Sequence, residues 1–144
     1  MREIEQTYNH FDLRGKTILD VGADFGLSSM YFLDRGAKKV VAYSLERQRK
    51  WLKHQDVEWH RQKWDYSTHR ADILKMDCEG CEYGRPVKWY FTNFSKMYLA
   101  IHYFERFAVK FEEYRGYIQL HGGKLIFQPG NEWMFLVDTG ELVK

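Results

Sequence analysis

One stretch, Ile18-Leu-Asp-Val-Gly-Ala-Asp-Phe-Gly26, constrains this chain more than any other. The apolar run Lys16 to Val21 leads into it and ends in a glycine-bearing turn, which is the pattern of a buried strand. Leu27, Met30, Tyr31 and Leu33 follow at helical spacing, and Gly36 supplies a C-terminal stop, so a helix is predicted over Leu27 to Arg35. Lys39 to Tyr43 reads as a second buried strand. Strand, glycine turn, helix and strand make a βαβ unit, with parallel strands and a right-handed crossover.

The rest of the chain continues the alternation. Glu46 to His54 is a candidate short helix, and Val57 to His60 a weak third strand. Asp72 to Met76 is a fourth strand ending at Asp77, and Lys96 to His102 a fifth. Phe104 to Tyr114 reads as a helix with Phe104, Phe107, Ala108 and Phe111 on one face. Gly122-Gly123 separates Tyr117–Leu120 from Lys124–Gln128, and Asn131 divides that strand from Trp133–Val137, predicting a closing antiparallel hairpin. The first dozen residues form a lead-in with helical character. The expected fold class is α/β, a three-layer sandwich on a mostly parallel, Rossmann-like sheet with a C-terminal antiparallel hairpin.

The chain has 144 residues, two prolines, no Ser/Gly-rich linker and no internal repeat, which predicts one domain over 1–144. Its 44% apolar and 29% charged residues are a globular balance. A net charge of +2 does not by itself call for a polyanionic partner. No run reaches the roughly 18 apolar residues of a membrane span, and the N-terminus lacks a signal-peptide apolar core. No membrane association and a cytoplasmic location are therefore expected. Two cysteines, Cys78 and Cys81, do not make a secreted disulfide framework.

Asp24 gives the glycine turn its chemistry. It stands where a dinucleotide-binding turn carries glycine, and its carboxylate would repel a pyrophosphate. It suits a ligand with an ammonium or sulfonium group, such as S-adenosylmethionine. The bland alternative is a plain tight turn between strand and helix. Adenosine-binding folds place a carboxylate at the end of the second strand for the ribose hydroxyls. Here Ser44 and Glu46 occupy that region. Either Glu46 reaches back or Ser44 makes a weaker contact; a helix N-terminal acid is the competing role for Glu46.

Asp72-Ile-Leu-Lys-Met-Asp-Cys-Glu-Gly-Cys-Glu82 is the most specific stretch. It resembles the Asp-Leu-Leu-Lys-Ile-Asp-Val-Glu-Gly-Ala-Glu signature of the FkbM-like methyltransferase family. Leu19 to Gly26 is similar to that family's Val-Asp-Val-Gly-Ala-Asn-Ile-Gly motif, and Ala100-Ile-His102 matches its Glu-Ile-His strand ending in part. The resemblance runs from about Lys16 to His102. It implies a class I methyltransferase fold with S-adenosylmethionine as methyl donor. It implies that Asp20, Gly22, Ala23, Asp24 and Gly26 hold the methionine end of the cofactor, that Ser44 and Glu46 lie at the ribose, and that Asp65 lies near the adenine. Asp77 and Glu79 would line the reaction cleft, with His102 a third candidate for the acceptor's proton. The chain departs from the family at Asp24 (Asn in the motif), Ser44 (Glu) and Ala100 (Glu), and its segment between the second and fourth strands is short.

Two further patterns compete for function. Cys78-Glu-Gly-Cys81 has the spacing of half a zinc site or a redox pair, with a disulfide as one outcome. A metal would need His60, His102 or His121 to converge there, and the family motif has small apolar residues at both positions, so no metal ligand is assigned. Arg47, Arg49, Lys50, Lys53, Arg61 and Lys63 are interleaved with Trp51, Trp59 and Trp64. The favoured reading of residues 47–64 is a solvated face whose tryptophans pack on the sheet edge. The competing one is a nucleic-acid surface. The chain is therefore expected to be a small methyltransferase acting on an oxygen acceptor. The alternatives are a degenerate methyltransferase-fold binding module and a nucleic-acid methyltransferase. Nothing in the sequence names the acceptor or the oligomeric state.

Overall fold

The apolar runs of the sequence become strands almost residue for residue. The computed structural model describes residues 2–53 and 56–144. Its strands are β1 (Thr17–Val21), β2 (Lys39–Tyr43), β3 (Val57–His60), β4 (Ile73–Met76), β5 (Lys96–His102), β6 (Lys124–Phe127) and β7 (Glu132–Asp138). They form one mixed sheet in the order β3-β2-β1-β4-β5-β7-β6. The β1–β2 and β2–β3 pairs are parallel, whereas β7 is antiparallel to both β5 and β6. This is the predicted α/β class, closed by the predicted hairpin. The chain divides into two compact units, Met1–Lys75 and Met76–Lys144.

In the first unit, β1 and β2 are buried along almost their whole length, as parallel strands with both faces covered must be. Ile18, Leu19, Val40 and Ala42 have no exposed surface. The helices are α1 (Arg2–Thr7) and α2 (Leu27–Asp34). Gly36, at φ 97°, ends α2 in the left-handed conformation that glycine adopts without strain. The predicted helix from Glu46 does not form. A single 3₁₀ turn, Lys50–Leu52, takes its place, and residue 54 lies outside the described residues. Only Leu52 in that turn is buried, so the segment has no apolar stripe to hold a longer helix.

In the second unit, β5 is buried from Met97 to His102. A 3₁₀ turn (Cys81–Gly84) and helix α3 (Val87–Asn93) precede it; the pattern had not predicted α3. The helix predicted from Phe104 starts later, as a 3₁₀ turn Glu105–Phe107 running into α4 (Ala108–Leu120). Tyr117–Leu120 is the last turn of α4 rather than a separate element. The buried face is Phe111, Tyr114 and Ile118, so of the predicted stripe only Phe111 is buried. No helix among the described residues is long and apolar enough to cross a membrane.

Candidate functional site

The glycine turn of the first unit is built on a buried charge. Asp20 is fully buried in β1. Its Oδ2 accepts from Ser28 Oγ at 2.6 Å and Ser29 Oγ at 2.7 Å, both in the first turn of α2. Lys75 Nζ, from β4, lies 3.0 Å from Oδ1 and donates to the Gly22 carbonyl at 2.8 Å. Oδ1 is not aligned with a hydrogen-bond donor, so the Lys75 contact acts through charge. Asp20, expected at the cofactor, is thus a post that fixes the turn from beneath.

Above it the backbone folds tightly. Gly22 (φ 80°), Asp24 (φ 49°) and Gly26 (φ 98°) are all left-handed. The Gly22 and Ala23 amides both donate to the Tyr43 carbonyl, at 3.1 and 3.0 Å. A Cβ on Gly26 would fall 2.3 Å from Leu52 Cδ2, so both conformation and packing demand glycine there. Ala23 is buried and Asp24 is exposed. No side chain caps the start of α2, so its first amides meet the region beside the turn.

At the exit of β2, Ser44 Oγ donates to the Asp24 carbonyl at 2.6 Å and accepts from the Glu46 amide at 3.0 Å. The hydroxyl proton is engaged in holding the glycine turn to the strand exit. Glu46 is exposed. The structure therefore brings Asp24, Ser44 and Glu46 together. Asp65 belongs to a neighbouring cluster: its Oδ1 accepts from the Tyr43 hydroxyl and from the Ser67 amide, both at 3.1 Å. The Ser67 hydrogen bond, helped by Tyr43, holds the Asp65 carboxyl below its usual range. Burial and then the Asp65 charge push the Tyr43 phenol up to about 12.

The second unit carries a group of acids around one histidine. The β5–β7 register sets His102 opposite Glu132. His102 Nδ1 donates to Glu82 Oε2 at 2.9 Å, and its backbone amide donates to the same oxygen at 2.6 Å. Nε2 lies 3.1 Å from Glu132 Oε1 and 3.4 Å from Asp77 Oδ1. Glu82 is fully buried, and its Oε1 accepts from the Gly80 amide at 2.8 Å. The turn that carries it is closed by a Cys78–Cys81 disulfide, one of the outcomes the spacing left open. Tyr83 donates to the His102 carbonyl at 2.6 Å.

Burial works to lower the His102 pKa, but hydrogen bonds to Asp77, Glu132 and Glu82 outweigh it and raise the group to about 11. His102 is therefore an imidazolium at neutral pH. It cannot take an acceptor's proton there and instead positions the carboxylates around it. The Glu132 carboxyl is raised, first by burial and also by Asp77, against the pull of His102. The Asp77 side chain is 26% exposed against 3% for His102, so Asp77 is the member of the set that meets solvent best. Glu79 is exposed in the left-handed turn (φ 49°), outside this hydrogen-bonded set. Glu82 and Glu132 were not among the predicted site residues. Glu82 closes the Asp72–Glu82 motif and so had a sequence signal, whereas Glu132 reaches the site only through strand register.

With these sites in view, the chain can be compared with known proteins. No family model matches it. It is 42% identical to uncharacterized protein 65 of Sulfolobus islandicus filamentous virus (isolate Iceland/Hveragerdi), over 56% of this chain and 56% of that protein. It is 37% identical to uncharacterized protein 158B of Sulfolobus islandicus rod-shaped virus 1, over 56% of this chain and 58% of that protein. The match thus spans little more than half the length of these curated relatives. Among solved structures, a proposed hemolysin from Lactococcus lactis superposes with a TM-score of 0.66 at 15% identity, over 96% of this chain and 88% of the other. A proposed tRNA methyltransferase from Streptococcus pneumoniae, in complex with S-adenosyl-L-methionine, gives 0.61 at 14% identity, over 99% and 75%. A 1,6-didemethyltoxoflavin-N1-methyltransferase from Burkholderia thailandensis, with 1,6-didemethyltoxoflavin and S-adenosylhomocysteine bound, gives 0.54 at 15%, over 88% and 72%. At these identities the likeness establishes the fold: the chain has a class I methyltransferase fold.

Proposed function

We propose that this chain is an S-adenosylmethionine-dependent methyltransferase acting on an oxygen acceptor, related to the FkbM-like enzymes through Leu19–Gly26 and Asp72–Glu82. The observation that carries the reading is the exposed Asp24 carboxylate in a glycine turn at the uncapped start of α2. A carboxylate there pairs with the ammonium of the cofactor's methionine end, and the α2 amides pair with its carboxylate. At the ribose, the exposed Glu46 carboxylate is the stronger acceptor, because the Ser44 oxygen already accepts from the Glu46 amide. Asp20, buried on Ser28, Ser29 and Lys75, serves this site by keeping the turn in shape.

Bound S-adenosylmethionine supplies an electrophilic methyl group on a sulfonium. The chain's own part is to orient the acceptor and receive its proton. Asp77 is the candidate base, since it is the best exposed carboxylate of its set. Positioning supplies the rest. Calorimetry with S-adenosylmethionine is the test: one-to-one binding is expected, weakened when Asp24→Lys reverses the charge. Absence of heat at millimolar cofactor would end this reading.

A second reading concerns the acceptor. Arg47, Arg49, Lys50 and Lys53 are all exposed around Trp51, which is 49% exposed. The Arg49 guanidinium lies 4.5 Å from the centroid of Phe25, the 45% exposed ring of the glycine turn. Cations and exposed rings beside the proposed cofactor turn favour a single-stranded nucleic acid as acceptor. The same set also serves the binding-module alternative, in which nucleic acid is held and no methyl group is transferred.

A further inference from the structure

The first unit holds a second cluster that the methyltransferase reading does not use. Glu58 and His60 are two apart on β3, so both project from one face of the strand. His60 Nε2 donates to Glu58 Oε2 at 2.6 Å. His69, from the loop after β3, places its Nδ1 3.7 Å from the same oxygen. One ligand atom from each of the three residues lies within 4.8 Å of the others. The other carboxylate oxygen, Oε1, is engaged by Lys39 Nζ at 3.3 Å, which leaves Oε2 facing the two imidazoles.

Hydrogen-bond direction decides what His69 offers. The Tyr43 hydroxyl donates its only proton to Asp65 Oδ1 at 3.1 Å. Its oxygen, 2.7 Å from His69 Nε2, must then accept, so Nε2 carries the proton. With Nε2 engaged by Tyr43, the nitrogen that His69 brings within 3.7 Å of Glu58 Oε2 is Nδ1. Asp65–Tyr43–His69 has the form of the outer-shell chain that orients a metal-bound imidazole. Tyr43 also stacks on His60, with centroids 4.7 Å apart and planes 11° apart, which holds the second imidazole.

We infer that Glu58, His60 and His69 bind a divalent transition metal of the zinc class. Two imidazoles and one carboxylate suit such ions better than magnesium or calcium. Ligand atoms around one tetrahedral zinc are roughly 3.3 Å apart at ordinary bond lengths of about 2.0–2.2 Å. The observed 2.6 and 3.7 Å bracket that spacing. Binding displaces the His60 Nε2 proton and leaves the fourth position to water. Its effect is to pin the loop after β3, in which Tyr66, His69 and Arg70 are all left-handed, to the edge strand of the sheet. The group Asp77, His102 and Glu132 also has metal-like spacing, but the positive charge its carboxylates need is already supplied by the His102 imidazolium.

The test is titration of the 144-residue chain, disulfide intact, with zinc chloride by calorimetry and with cobalt chloride by visible absorption. One equivalent is expected, with cobalt bands of nitrogen and oxygen ligation and a thermal midpoint that rises with zinc. His60→Gln and His69→Gln should each weaken binding by roughly 100-fold or more, and Tyr43→Phe by about 10–100-fold, since it removes only the outer-shell partner. His121→Gln should change nothing. Failure of the wild-type chain to bind either ion overturns the inference, whether or not the variants fold. So does one-equivalent binding that survives His60→Gln with His69→Gln.

Discussion

At the scale of single residues, His102 is the most consequential side chain in the second unit. Its imidazolium lies within 3.4 Å of carboxylate oxygens of Asp77, Glu82 and Glu132 and offsets their mutual repulsion. Replacing it by asparagine leaves acids buried without a counter-charge and should cost roughly 3–5 kcal/mol, read as a shift in urea unfolding at neutral pH. Its pKa also makes a pH prediction. The folded state holds this proton up to about 11 against an ordinary value of 6.5. Its stabilisation is therefore complete below about pH 6.5 and declines as pH rises towards 11, because the unfolded chain releases the proton first. The urea midpoint of the wild type should fall between about pH 7 and pH 10, and His102→Asn should flatten that slope. A wild-type midpoint level over this range would show that His102 is neutral. Asp24 and Gly26 could be read from the sequence, because their demands are local: a charge beside a turn and a left-handed backbone. The role of His102 could not. Its partners Glu82 and Glu132 lie 20 and 30 residues away, and only register and a turn bring them in.

At the scale of elements, β1, β2 and β5 were legible because a strand buried on both faces must be an apolar run. Lys75 breaks the run of β4, and its reason is structural: it neutralises Asp20, which in turn anchors α2 through Ser28 and Ser29. Asp20→Asn keeps an acceptor for the serines but strands the Lys75 ammonium, at an expected cost of roughly 3–5 kcal/mol. Adding Lys75→Met should recover much of that loss. Equilibrium unfolding of the single and double variants measures both, and simple additivity would mean the two residues do not act as a pair. The elements that were misread had weak local signals. The segment 47–53 is almost entirely polar and needs only Leu52 for packing. Helix α3 is seven residues long, and its aromatic composition hides its period. Tyr117–Leu120 has strand-like residues, but the helix continues to Leu120 because Tyr114 and Ile118 are buried on the same side as Phe111.

At the scale of the whole molecule, a net charge of +2 conceals a local concentration of cations around Trp51. If this surface takes nucleic acid, retention on single-stranded RNA should weaken with salt, with a slope of about 0.7 per phosphate neutralised. Arg47→Glu with Lys50→Glu should lower that slope, and Trp51→Ala should cost about 1–3 kcal/mol if a base stacks there. Retention indifferent to salt, or unaltered by the three changes, would leave residues 47–64 as a solvated face. The strand order of the second unit has a consequence for how the chain is made. β5 and β6 emerge from the ribosome before β7, yet β7 lies between them. Until it arrives, one edge of β5 is open and β6 has no strand to pair with. This half of the sheet therefore cannot zip up in the order of its synthesis. It closes by one late insertion, and the open edge of β5 is the surface that nascent-chain chaperones, or neighbouring nascent chains, meet in the interval.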